Sequence, residues 1–119
     1  MKILLADDDD GMRELVKRAL QSEGHTVVAV SDGAAALEEF DADTGTYDLL
    51  IADVDMPGLD GISLAKKARQ TTAAIAVVLI SAHEAQLVRA AEISGAKVET
   101  LAKPFPLDAL RAAVAKVTG

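Results

Sequence analysis

The sequence predicts a doubly wound α/β fold with a five-stranded parallel sheet, and two observations lead to it. Five short apolar runs alternate with five segments that carry helix signals, which is typical of a parallel sheet with helices on both faces. The chain has 119 residues and half of them are apolar, which suits one domain with a substantial core. Right-handed crossovers between five strands fit the strand order 2-1-3-4-5. This order is inferred from the rules of doubly wound folds and not from the spacing of the runs.

The apolar runs predict the strands, and helical periodicity predicts the first helix. The runs are Ile3–Ala6, Thr26–Val30, Asp48–Ala52, Ala76–Ile80 and Val98–Ala102. The first helix is capped by Asp9 or Asp10 and ends at Gly24. Its apolar residues recur at helical spacing and predict one buried face, made by Met12, Leu15, Val16, Ala19 and Leu20.

The later helices follow from capping and turn signals. Asp32-Gly33 begins the second helix, a polar loop spans Asp41–Tyr47, and Asp60 caps a third helix over Gly61–Gln70. A fourth helix over about Glu84–Ser94 has weak amphipathicity, because Leu87, Val88 and Ala91 share a face that Ile93 does not. That weakness is equally consistent with a partner-binding surface and with a marginal helix. The fifth helix begins at Pro106 and buries Leu107, Leu110, Val114 and Val117.

Composition excludes several classes of function. The net charge of −7 argues against direct nucleic-acid binding and against an anionic membrane surface. Cysteine is absent, which excludes disulfides and thiolate metal sites, and no apolar run approaches a membrane span. With only three aromatic residues, the chain does not favour a stacking platform for bases. The expected location is the cytoplasm, without membrane insertion.

Chemistry-bearing side chains follow the predicted strands, at one edge of the sheet. Asp7 and Asp8 follow the first strand, Asp53 the third, Ser81 the fourth and Lys103 the fifth. Three clustered carboxylates repel one another unless a cation joins them, and an all-oxygen site suits Mg²⁺ or Mn²⁺. A carboxylate beside such a cation can attack phosphorus, while the lysine and the hydroxyl bind phosphoryl oxygens. In the predicted order the strand sequence reverses between the first and third strands, where the site is expected. Ser31 follows the second strand, on the far side of the first, and is therefore not expected in the site.

The chain resembles the receiver domains of response regulators over essentially its whole length. The segments that carry the resemblance are Asp7-Asp8, Asp32-Gly33, Asp53-Val54-Asp55-Met56-Pro57-Gly58-Leu59-Asp60-Gly61, Ser81-Ala82 and Lys103-Pro104-Phe105. The resemblance implies a single receiver domain over residues 1–119 with the 2-1-3-4-5 sheet. It also implies that Asp53 is the phosphoacceptor, which a histidine kinase or a histidine phosphotransfer protein phosphorylates.

The same resemblance assigns roles around Asp53. Asp8 and Asp53 would ligate Mg²⁺ together with the backbone carbonyl of Asp55, with Asp7 near the ion, and Ser81 and Lys103 would contact the phosphoryl oxygens. Output would pass through the face of the fourth helix, fifth strand and fifth helix to a downstream protein. Since nothing follows residue 119, we expect a stand-alone receiver without an attached output module.

Three positions depart from the family pattern or vary within it. Thr100 occupies the position of the usual aromatic switch residue on the fifth strand, and the spacing from Gly95-Ala96 to Lys103 is one residue longer than usual. Asp55 and His83 occupy the positions that tune phosphoryl lifetime. Asp55 could orient the attacking water or repel the phosphoryl group. His83 is either a group that makes dephosphorylation sensitive to pH near its usual pKa of ~6.5 or an exposed loop histidine.

Three other functions remain as alternatives. The spacing of Asp53 and Asp55 imitates the pair of aspartates, one a nucleophile and one an acid/base, of haloacid-dehalogenase-type phosphohydrolases. The chain is short for that class, and Met56-Pro57 stands where its Thr/Val-rich turn is expected. A pseudo-receiver that only binds a partner would not need the complete acidic site. A flavodoxin-type carrier would need a phosphate-cradling loop after the first strand, where the chain instead has the acidic run Asp7–Asp10. We expect no enzymatic activity beyond self-phosphorylation and autodephosphorylation.

Overall fold

The computed structural model describes residues 1–43, 45–93 and 96–119. Strands and helices alternate along the described chain, as predicted. The strands are β1 Lys2–Ala6, β2 Thr26–Val30, β3 Leu49–Asp53, β4 Ala76–Ser81 and β5 Val98–Ala102. The helices are α1 Asp10–Ser22, α2 Gly33–Ala42, α3 Gly61–Thr71, α4 Glu84–Leu87 and α5 Leu107–Thr118, with a 3₁₀ helix over Val88–Glu92.

The five strands form one parallel sheet in the order β2-β1-β3-β4-β5, which confirms the predicted fold class. In register, Ala6 lies opposite Ala52, Asp53 opposite Ile80, and Ser81 opposite Ala102. The carboxyl ends of β1, β3, β4 and β5 therefore meet at one edge. Successive strands are added on one side of β1 and then, from β3 onward, on its other side. A doubly wound fold places its ligands at the carboxyl edge beside this reversal of strand order.

The central strands are buried on both faces, which explains why their sequences are continuously apolar. On β3, Leu49 and Ile51 pack toward the side of α1 and α5, while Leu50 and Ala52 pack toward the side of α2 and α3. The two cores fix the register of each strand, because a shift by one residue would exchange the two faces.

Aspartate caps begin the first three helices, as predicted. Asp9, Asp32 and Asp60 each accept a hydrogen bond from the backbone N–H three residues further on. Asp9, and not Asp10, is therefore the cap of α1. These caps hold the loops after β1, β2 and β3 at the edge of the sheet that carries the acidic residues.

Three predictions about the helices were wrong in detail. Leu15 is 50% exposed, so the buried face of α1 is narrower than its apolar spacing indicated. Helix α2 continues through Ala42, two residues into the predicted loop, in which Thr44 lies outside the described residues. The predicted fourth helix is a single α-helical turn followed by the 3₁₀ helix, and Ser94 at its predicted end lies outside the described residues.

Packing explains the irregular fourth helix. Ile93 is buried and Leu87 packs partly against the core, whereas Val88 is 76% exposed. A regular helix could not bury Leu87 and Ile93 together because they lie on different faces, and the change to 3₁₀ geometry accommodates both. Over the described ranges, no helix has the length and apolar character needed to cross a bilayer.

Candidate phosphoryl site

Three carboxylates meet at the carboxyl edge of the central strands. Asp53 is the last residue of β3, and Asp7 directly follows the neighbouring strand β1. Asp7 and Asp53 are buried, while Asp8 is exposed. One carboxylate oxygen from each of the three lies within 4.8 Å of the others. The structure therefore brings together the acidic cluster that the strand ends predicted.

Lys103 adds a positive charge to this cluster from the end of β5. Its backbone N–H donates a 2.8 Å hydrogen bond to the carbonyl of Ser81, which ties the loop after β5 to β4. Its Nζ donates a 2.6 Å hydrogen bond to Asp53 Oδ2 and lies 3.3 Å from Asp7 Oδ2. Burial by itself lowers the pKa of Lys103, but the hydrogen bond to Asp53 and the charges of Asp7 and Asp53 together raise it above its ordinary value.

Asp7 has a buried carboxylate oxygen that accepts no hydrogen bond within the described part of the chain. Its Oδ1 accepts a 2.9 Å hydrogen bond from the backbone N–H of Asp9, but its buried Oδ2 accepts none within the described part of the chain. Burial raises the pKa of Asp7, and the hydrogen bond from Asp9 and the charge of Lys103 only partly oppose this. An unsatisfied buried carboxylate oxygen among all-oxygen donors fits a hard divalent cation such as Mg²⁺.

The hydroxyl of Ser81 lies at the end of β4 and contacts Asp55. Ser81 is fully buried, and its Oγ donates a 2.5 Å hydrogen bond to Asp55 Oδ2. The same Oγ accepts a 3.0 Å hydrogen bond from the backbone N–H of His83, whose side chain is exposed. The backbone N–H of Asp55 donates a 2.8 Å hydrogen bond to Asp53 Oδ1. Hydrogen bonds thus link Ser81, Asp55 and Asp53.

Comparison with known proteins identifies the family. The family model of the response regulator receiver domain matches residues 3–115. The chain belongs to this family. Receivers are the phosphoacceptor domains of two-component systems, are phosphorylated by histidine kinases or phosphotransfer proteins, and bind Mg²⁺ at an acidic pocket. The family match favours a receiver over the haloacid-dehalogenase alternative, whose nucleophile and acid/base residue Asp53 and Asp55 imitate.

Curated relatives of this receiver are longer proteins. It is 38% identical over 110 residues to the transcriptional regulatory protein TcrA of Mycobacterium tuberculosis, covering 92% of this chain and 43% of TcrA. It is 35% identical over 112 residues to the response regulator MprA of Mycobacterium ulcerans, covering 94% of this chain and 47% of MprA. The chain therefore spans less than half the length of these two relatives.

Solved structures share the whole receiver fold. The receiver domain of the hybrid histidine kinase CckA superposes with a TM-score of 0.85 at 34% identity, and each chain covers all of the other. The response regulator TrrA of Thermotoga maritima, crystallised in complex with Mg²⁺ and BeF, superposes with a TM-score of 0.84 at 31% identity, covering 98% of this chain and 97% of that one.

Thr100, for whose position the family resemblance predicts an aromatic switch residue, lies within β5. Thr100 pairs in register with Leu79 and is half-buried. Gly95, from which the unusual spacing to Lys103 begins, lies outside the described residues.

Two residues near the site were not predicted from the sequence. Arg13 in α1 donates a 2.8 Å hydrogen bond to the backbone carbonyl of Asp7 and also pairs with Asp10. Its position three residues after Asp10 was the available signal. Gly61 is the second, because a Cβ there would lie 2.5 Å from the carbonyl oxygen of Asp53. Gly61 ends the segment that carries the family resemblance, and this was the available signal, but the close approach of the two backbone segments depends on tertiary structure.

Proposed function

We propose that this receiver accepts a phosphoryl group on Asp53 from the phosphohistidine of a kinase or a phosphotransfer protein. The observation that carries the proposal is the convergence of the Asp53 carboxylate, the Lys103 ammonium and the cluster of Asp7 and Asp8 at one edge of the sheet. A carboxylate oxygen of Asp53 attacks phosphorus, the P–N bond to the donor imidazole breaks, and its electron pair stays on the imidazole nitrogen.

In this proposal, Mg²⁺ (or Mn²⁺) is held by Asp8 and Asp53 and by the backbone carbonyl of Asp55, with Asp7 beside it. The cation supplies charge neutralisation for the oxygens of the transferring group. Lys103 contributes a second positive charge from the end of β5 and binds a phosphoryl oxygen as a point charge. The buried hydroxyl of Ser81 donates a hydrogen bond to another oxygen of the phosphorylated state.

Phosphorylation adds negative charge at Asp53 and a new acceptor for Ser81, and this biases the loop after β4. We propose that the signal leaves through the surface of α4, β5 and α5 to a protein partner. Since Thr100 offers no aromatic ring, Ser81 and the loop after it carry the change, while Asp55 and His83 tune the lifetime of the phosphoryl group. A net charge of −7 favours a protein over a nucleic acid as the direct partner of this chain.

We propose that residues 1–119 form a single receiver domain, which acts through protein contacts in the cytoplasm. The acidic, cysteine-free composition is consistent with that compartment.

Intact mass after incubation with phosphoramidate and Mg²⁺ tests the phosphoacceptor. We expect a gain of one phosphoryl group, ~80 Da by composition, which Asp53→Asn abolishes. Asp108→Asn is the matched control, since its side chain is 94% exposed on α5 and it should gain the group normally.

Two results would contradict the proposal. Absence of a mass gain in the wild-type protein, with the fold intact by circular dichroism, would favour a pseudo-receiver that only binds a partner. Multiple-turnover release of phosphate from small monoesters would favour a phosphohydrolase instead.

A further inference from the structure

Ser81 has a single hydrogen to donate, and the structure commits it to Asp55. The bond from Ser81 Oγ to Asp55 Oδ2 is 2.5 Å long, and the backbone N–H of His83 occupies the acceptor side of the same oxygen. A hydroxyl carries one donor, so it cannot donate to a second acceptor while this bond is intact. Because Ser81 is fully buried, water does not compete for that donor.

The partner of Ser81 is able to leave without disturbing the site. Asp55 is exposed, so its carboxylate can be hydrated once the bond to Ser81 breaks. Its backbone N–H separately holds Asp53 Oδ1 at 2.8 Å, and this second bond does not depend on where the side chain points. The Asp55 side chain can therefore rotate into solvent while its backbone continues to position Asp53.

We propose that Asp55 is a positioning residue that holds the Ser81 hydroxyl away from the phosphoryl position in the resting protein. This inference depends on the proposed function, because the competing acceptor is a phosphoryl oxygen on Asp53. A hydrogen bond to a carboxylate is among the stronger ones in proteins, so breaking it opposes the phosphorylated state. The Asp55 carboxylate thus lowers the affinity of the site for a phosphoryl group through Ser81, in addition to any repulsion between the charges.

The affinity for beryllofluoride, a stable substitute for the phosphoryl group, measures this competition. Calorimetry at saturating Mg²⁺ compares the wild type with Asp55→Ala, Ser81→Ala and the double variant. We expect Asp55→Ala to bind about tenfold more tightly than the wild type, the ratio that corresponds to one charge-assisted hydrogen bond. When Ser81 is already alanine, Asp55→Ala should increase the affinity for beryllofluoride clearly less, because no hydroxyl remains to be released.

The conservative variant separates the hydrogen bond from the charge. Asp55→Asn keeps an oxygen acceptor for Ser81 but removes the negative charge. If Asp55 holds the hydroxyl, the affinity of this variant lies between those of the wild type and Asp55→Ala. If Asp55 acts only by repulsion, Asp55→Asn binds as tightly as Asp55→Ala.

Failure of this inference differs from failure of the proposed function. Equal gains from Asp55→Ala with and without Ser81 would overturn the role of Asp55 while leaving Asp53 as the phosphoacceptor. A wild-type protein that neither binds beryllofluoride nor gains mass with phosphoramidate would overturn both. Because Asp55 lies at an exposed loop position, circular dichroism of the variants at this residue is expected to match the wild type.

Discussion

Asp7 shows how the chemistry of this site opposes the stability of the fold. Its side chain is only 1% exposed, it is adjacent to a second buried carboxylate at Asp53, and one of its oxygens accepts no hydrogen bond within the described residues. Lys103 offsets part of this cost, but the pKa of Asp7 is still raised by burial. An ionised Asp7 therefore makes the folded protein less stable at neutral pH than a neutral residue would.

Asp7→Asn should raise the free energy of unfolding at pH 7 in the presence of EDTA. A carboxyl group with a raised pKa in the folded state contributes stability below its unfolded pKa of ~3.9 and loses that contribution as the pH rises through its folded pKa. The advantage of the variant should consequently shrink as the pH is lowered toward 4. Urea unfolding at several pH values, followed by far-ultraviolet circular dichroism, measures it.

Asp108→Asn is the control for Asp7→Asn, because it makes the same chemical change at a side chain that is 94% exposed. Adding Mg²⁺ should stabilise the wild type more than Asp7→Asn and narrow the difference between them. If Asp7→Asn were less stable than the wild type at pH 7 without Mg²⁺, the ion pair with Lys103 would outweigh the cost of burial.

At the scale of elements, the start of α3 is fitted against the end of β3. Asp60 caps the helix, and Gly61 then brings the helix backbone so close to Asp53 that a Cβ would lie 2.5 Å from its carbonyl oxygen. Backbone atoms cannot move aside as a flexible side chain can. The absence of a side chain at Gly61 therefore lets the helix pack directly behind the proposed phosphoacceptor.

Gly61→Ala should lower the free energy of unfolding by about 1–3 kcal/mol, the usual cost of overpacking. The variant should also gain mass more slowly with phosphoramidate, because relief of the clash displaces the backbone of Asp53. Urea unfolding and the time course of intact mass measure the two effects.

Gly11→Ala is the matched control, since it is a glycine in α1 whose Cβ would meet only Asp9 Oδ1, at 3.5 Å. There the higher helix propensity of alanine should stabilise the protein by about 0.5 kcal/mol. Equal effects of the two substitutions would show that the close approach of α3 to β3 does not constrain the fold.

Across the whole molecule, Arg69 connects α3 to two loops at the amino-terminal edge of the sheet. The side chain is buried, and it donates hydrogen bonds of 2.8 Å to the carbonyl of Ile75, 2.6 Å to that of Ala96 and 3.2 Å to that of Lys97. Burial lowers the pKa of the Arg69 guanidinium. The residue thus helps to fix where β4 and β5 begin, at the edge opposite the acidic site.

Arg69→Met should lower the free energy of unfolding by about 2 kcal/mol, mainly because the carbonyl of buried Ile75 loses a donor. Lys67→Met removes the same charge from an exposed position two residues earlier and should change stability by less than about 0.5 kcal/mol. Thermal and urea unfolding of both variants test this, and indistinguishable stabilities would contradict the role assigned to Arg69.

Local sequence was sufficient to predict the sheet and most of the residues at its edge. The strands are short, continuous apolar runs, and a parallel sheet places their carboxyl ends together regardless of how the helices pack. Asp7, Asp8, Asp53, Ser81 and Lys103 could therefore be assigned to one site before their contacts were known. Aspartate caps are similarly local, since each cap bonds its own helix three residues on.

Tertiary structure decided what depends on contacts between distant segments. Three features depend on which neighbouring surface a residue meets. They are the exposure of Leu15, the 3₁₀ geometry after Leu87 and the close approach of Gly61 to the backbone of Asp53. The hydrogen bond from Ser81 to Asp55 joins residues 26 positions apart. The sequence alone determined which chemical groups this receiver brings to the edge of its sheet, because strand ends are encoded locally. Which distant side chains these groups contact was decided only by packing, because the partners of Ser81 and Lys103, which are Asp55 and Asp53, lie 26 and 50 positions away along the chain.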